Sequence, residues 1–110
     1  MYNEIQNLTK ELDVSIKSLR QTGTAFAQAE KDYKIKVREE VLKLRDTGMA
    51  VTLINQIIYG IPSVADLRFK RDVAEAIYKA NQESINVTKV KIRVLENQYD
   101  KEWGQAKWFI

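Results

Sequence analysis

Ile5, Leu12, Leu19, Phe26 and Tyr33 recur at intervals of seven, the spacing that keeps a row of side chains on one line of a helix wound against another. A companion row begins at Leu8 and drifts to Ile16 and Val37, because 3.6 residues per turn slips against a strict repeat of seven. Val41 and Leu44 carry the pattern on, so a helix is predicted over about 3–46. Gly23, between Thr22 and Thr24, lies inside it. A glycine there costs about 1 kcal/mol against alanine, and marks a kink, a close crossing by a partner helix, or a tolerated substitution.

The later half repeats the pattern. Val64, Tyr78, Ile85, Ile92, Tyr99 and Ala106 share one heptad position, with Arg71 as its polar member, and Leu67, Ala74 and Leu95 share the companion position with Asn81, Thr88 and Glu102. This predicts a second long helix over about 63–103, ended by Gly104 and followed by an apolar tail, 104–110. Between the two, Asp46–Ser63 holds two of the four glycines and the sole proline. Lys43, Arg45 and Gly48 read as a helix C-terminus, with basic side chains near the last carbonyls and a glycine suited to the left-handed conformation. Thr52 is placed to cap a short corner helix, about 52–59, stopped by Gly60, and Ser63 to cap the long helix that follows.

The two rows superpose in antiparallel fashion. With Leu44 opposite Leu67, Tyr33 meets Tyr78, Phe26 meets Ile85, Leu19 meets Ile92 and Leu12 meets Tyr99. The predicted fold is all-α: one domain over 1–110, a long antiparallel helical hairpin of coiled-coil type with a short corner helix. Helices of about 40 residues are ~60 Å long, and two of them enclose little core. Val73, Ile77, Val87 and Val94 form a second apolar stripe beside the first. Two helices cannot cover both stripes, so a homo-oligomer is expected, a bundle of four or more helices around a shared core. The tail is expected to pack on the first helix near Ile5 and Leu8; left exposed, Trp108 and Phe109 are further candidates for that interface.

Composition narrows the chemistry. With no cysteine and no histidine, disulfides, thiolate or imidazole metal sites and Ser-His or Cys-His nucleophiles are excluded. Carboxylate pairs such as Glu39-Glu40 and Glu96-Asp100 sit at helical spacing in a chain that is 30% charged, the pattern of solvated surface, and no phosphate-binding glycine loop accompanies them. No catalytic, cofactor-binding or metal-binding residue is therefore expected, and no enzyme. The opening Met1–Gln6 lacks the basic, apolar and small-residue sequence of a signal peptide, and no apolar run approaches the roughly 20 residues of a membrane span. A cytoplasmic protein without membrane contact is expected.

The net charge of +3 is modest, so candidate anion contacts rest on local clustering. The register above levels Lys17 and Arg20 with Lys89, Lys91 and Arg93, a basic belt suited to a phosphate backbone or to an anionic nucleotide held between subunits. The second candidate is the corner. Gly48, Met49, Val51, Thr52, Gly60, Ile61 and Val64 resemble the helix-turn-helix of resolvase-like DNA-binding segments, although the glycine interval is one residue longer and Pro62 intrudes. The resemblance implies a recognition helix carrying Arg68, Lys70 and Arg71, where Asp66, Asp72 and Glu75 oppose them.

A broader likeness runs through Ala29–Tyr33, Leu42–Arg45 with Gly48-Met49, Leu67–Glu75, and Ile92–Asp100 with Trp103-Gly104. In these segments the chain resembles small uncharacterised helical hairpin proteins of phages and prophages of Gram-positive bacteria. The resemblance implies a phage accessory protein and carries no site residues with it. The leading expectation is a non-enzymatic, self-associating protein that binds a host or phage macromolecule, for instance as an inhibitor of a host system. The alternatives are a nucleic-acid-binding accessory of phage recombination or replication, and sequestration of a small anionic nucleotide.

Overall fold

A computed structural model describes residues 2–108, and side chains for 2–104. Among these residues the fold is all-helical: α1 spans Tyr2–Asp46, α2 Val51–Ile57, a single 3-10 turn Ile58–Gly60, and α3 Pro62–Trp108. No helix among the described residues is long and apolar enough to cross a membrane. The chain divides into two compact units, Thr22–Tyr78 and a second made of residues up to Gln21 with those from Lys79 on. In each of them α1 packs against α3.

In the corner unit, Thr22–Tyr78, α1 ends as its sequence demands. Gly48 adopts φ +83°, its amide donates to the Arg45 carbonyl at 2.9 Å, and the Met49 amide reaches back to the Leu44 carbonyl at 3.4 Å. These paired bonds satisfy the last carbonyls of the helix and require a left-handed residue, which glycine supplies without a Cβ clash. The helix starts differ from expectation. Thr52 does not cap α2; Ala50 stands at that position in extended conformation with no side-chain cap bond. Ser63 does not cap α3 either, because Pro62 takes the first helical position, where its missing N–H costs nothing. Ile61 precedes it as the capping residue, its carbonyl accepting from the Ala65 amide at 2.8 Å.

The core of this unit is mainly aliphatic, around one tyrosine, and centred on the corner. Tyr33, Ile58 and Val64 are buried together, with Val37, Val41, Leu44, Ile61 and Leu67 packed against them, while Ile54 and Val64 are fully buried. The corner helix thus closes the end of the α1/α3 seam and leaves the second stripe uncovered, with Val73 42% and Ile77 53% exposed.

The register is one heptad away from the predicted one. Phe26 meets Tyr78, ring centres 5.9 Å apart, in place of Ile85, and Tyr33 meets Arg71 in place of Tyr78. The cause lies in the pattern itself: a repeat of seven presents the same rows after a slide of seven, so heptads alone leave the choice open. The corner decides. Ile54, Ile58 and Ile61 occupy the closed end of the seam, and Arg71, the polar member of its row, finds a partner in the Tyr33 ring. Gly23 marks a close approach rather than a kink: α1 is unbroken there, and a Cβ at Gly23 would lie 3.1 Å from Tyr78 Cε1.

In the unit formed by the chain's two ends, the interior is sparser and more polar. Ile85 and Thr88 are its buried residues among those described. The Thr88 hydroxyl donates to the Ser84 carbonyl at 2.8 Å, and the half-buried Asn81 donates through Nδ2 to the Ser15 carbonyl at 3.0 Å. These bonds satisfy polar groups on the packed face that would otherwise carry a desolvation cost of about 1–3 kcal/mol each. Leu19 and Ile85 line one groove and Asn81 reaches Ser15, so here too the partners of α1 lie earlier along α3 than the predicted pairing of Leu19 with Ile92. Gly104 does not end α3, which continues to Trp108; a glycine inside a helix costs about 1 kcal/mol against alanine without forbidding it.

Candidate functional site

The predicted basic belt is divided by helix geometry. Residues two apart on a helix point about 200° apart, so Lys89, Lys91 and Arg93 do not share one face of α3. In the unit of the chain's ends, Lys89 lines a groove of 540 Å³ together with Lys79, Gln82, Glu83, Asn86, Leu19 and Ile85. Lys91 belongs to a smaller depression with Glu83, Asn86, Val87 and Val90. Lys17, Arg20 and Arg93 are exposed. The sequence reading missed Lys79, Gln82 and Asn86. Their signal is the spacing 79, 82, 86, 89, which follows the alternating three-and-four step of one helix face. That face presents two ammonium groups and two amides beside one carboxylate, donors suited to an anion.

In the corner unit the cations predicted for a recognition helix are turned to aromatic neighbours. Arg68 places its guanidinium carbon 5.3 Å from the Tyr59 ring centre, and Arg71 lies 4.6 Å from that of Tyr33. Arg71 also donates from Nε and Nη2 to Asp72 Oδ1 at 3.1 and 2.8 Å. The hydrogen bond to Asp72 raises the Arg71 pKa above its ordinary value, against a smaller opposing effect of burial, so the guanidinium is charged at any working pH. Lys70 is exposed. Thus Arg71 serves this unit's packing, and Arg68 is drawn to Tyr59 on the preceding turn.

The third candidate surface is apolar. Val73 and Ile77 in the corner unit, and Val87 and Val94 in the other, are all exposed. Phe69, at 70%, and Val90, at 55%, join them; neither was in the predicted set, though both fall at three- or four-residue steps from its members. The Trp108 side chain and Phe109 lie outside the described residues. Among the described residues no group of three or more acidic side chains is placed to hold a metal ion. No protein-family model, no curated protein and no solved structure matches the chain.

Proposed function

We propose that this chain is a non-enzymatic phage or prophage accessory protein that self-associates through helix faces and acts by engaging a host or phage macromolecule. The observation that carries the reading is the set of large apolar side chains left exposed on α3, from Phe69 and Val73 to Val90 and Val94. A face of that kind loses free energy in water at about 25 cal/mol per Å² of apolar surface and recovers it on docking. Phage origin rests on the sequence resemblance, and the absence of histidine and cysteine supports binding over nucleophilic catalysis. Size-exclusion chromatography with light scattering tests the assembly, for which an oligomer at tens of micromolar is expected. Capture from host lysate, with and without nuclease, then tests the partner: a nuclease-resistant protein partner is expected, and a strict monomer that captures nothing would sink the reading.

A second reading is favoured by the groove that gathers Lys79, Gln82, Asn86 and Lys89. On it the protein is a nucleic-acid-binding accessory, or a holder of a small anionic nucleotide, that recognises phosphate through these donors. Phosphate contacts release counterions, so its affinity falls steeply with salt.

A further inference from the structure

The unit formed by the chain's ends carries two outward faces of opposite character. On α1 the row at alternating four- and three-residue steps is Asn3, Asn7, Lys10, Val14, Lys17 and Gln21, all exposed and polar but for Val14. On α3 the corresponding outward row is Ala80, Glu83, Val87, Val90, Val94 and Asn97, likewise exposed. Its steps of three and four are those of a coiled-coil seam, and its three valines are 42%, 55% and 58% exposed. It lies on the side of α3 away from Ile85, which faces α1. The unit that bears this seam is also the one with the thinner core, since Ile85 and Thr88 are its buried residues among those described. A helix laid on this row adds burial where the fold supplies least.

We infer that the occupant of this seam is α3 of a second copy of the chain, running antiparallel, with Val87 against Val90 of the second copy at the two-fold axis. The inference rests on the self-association proposed above and names its surface. Charge selects both the occupant and the direction. The valine cluster has Glu83 at one end and Arg93 at the other. In the antiparallel arrangement Glu83 of each copy falls level with Val94 of the other, beside Arg93. Two-fold symmetry makes this attraction occur twice. A parallel pair would set Glu83 against Glu83 and Arg93 against Arg93, an arrangement that flanking charges penalise. Ala80 and Asn97 oppose each other at the seam's ends.

The test uses the full chain, which has no native cysteine. Val90→Lys replaces an exposed side chain, so helix content by circular dichroism should be unchanged while the dimer dissociation constant rises about 100-fold, because two ammonium groups enter an apolar seam. Glu83→Arg and Arg93→Glu should each weaken association, and the double variant should restore it. When Val87→Cys and Val90→Cys chains are mixed and oxidised, the mixed disulfide should exceed both homodimers. A wild-type chain that is monomeric at tens of micromolar overturns self-association and this surface together. A wild-type oligomer indifferent to Val90→Lys overturns only the surface. Dominant 87–87 and 90–90 disulfides, or failure of the charge swap to restore pairing, overturn the antiparallel direction.

Discussion

At the scale of single residues, the contact between Gly23 and the Tyr78 ring opposes helix propensity. An alanine at Gly23 gains about 1 kcal/mol of propensity, but its Cβ would stand 3.1 Å from Tyr78 Cε1, and Tyr78 is itself held against Phe26. Gly23→Ala is therefore expected to gain less than about half of that figure in the wild-type chain, and nearly all of it in a Tyr78→Ala background; urea denaturation of the four proteins measures the difference. The Arg71 guanidinium over the Tyr33 ring is the second such contact. A cation–π pair is worth about 0.5 kcal/mol when exposed and about 2 kcal/mol when desolvated; here Tyr33 is buried and the Arg71 side chain is 22% exposed. A double-mutant cycle of Arg71→Gln with Tyr33→Leu should return a coupling of about 0.5 kcal/mol or more, and additive losses would show that the stack contributes nothing. Neither contact was legible in the sequence beyond a hint, a glycine inside a helix and an arginine inside an apolar row. Both belong to the pairing of α1 with α3, which local pattern does not specify.

At the scale of elements, the seam row of each long helix follows from its heptads, and their relative register does not. A slide by seven exchanges Ile85 for Tyr78 opposite Phe26 and leaves apolar rows facing apolar rows, so the energy separating the two registers sits at the closed end. Ile54, Ile58 and Val64 make that end dry. Ile54→Ala should cost about 2–5 kcal/mol, as a large side chain lost from a fully buried site, and a smaller loss in denaturation would mean that the corner is not what sets the register. The register itself is read with paired cysteines: positions 19 and 92 should not cross-link on oxidation, since a disulfide needs α-carbons within roughly 7 Å, and efficient joining of the two would restore the predicted register. The caps belong to the same scale. Gly48 was legible because few residues but glycine take a positive φ at a helix end. Thr52 and Ser63 misled because Ala50 and the Ile61-Pro62 pair supply the helix starts without a side-chain cap.

At the scale of the whole molecule, the two units differ in what they bury: Tyr33, Ile54, Ile58 and Val64 in the corner unit, Ile85 and Thr88 in the other. Local opening is cheapest where little apolar surface is lost. Amide exchange measured by mass spectrometry on dilute protein should therefore be slower over residues 26–44 than over 5–19, and the contrast should shrink as concentration rises and a second copy covers Val87, Val90 and Val94. A salt titration separates the two functional readings: phosphate recognition predicts binding to DNA that weakens steeply between about 50 and 200 mM salt, whereas association through a valine seam changes little over that range.

What the sequence determined by itself is what depends on neighbours in the chain. The helical class, the turn at Gly48, the exclusion of thiol and imidazole chemistry and the presence of a surplus apolar stripe all follow from residue types at short spacings, where geometry is set by 3.6 residues per turn. The tertiary structure decided everything that depends on which distant residues meet. It chose among equivalent heptad registers, set Lys79 and Lys89 along one groove, and turned Arg68 and Arg71 toward tyrosines. A periodic sequence is by construction ambiguous to translation along its own axis, and only the aperiodic corner, packed in three dimensions, removes that ambiguity.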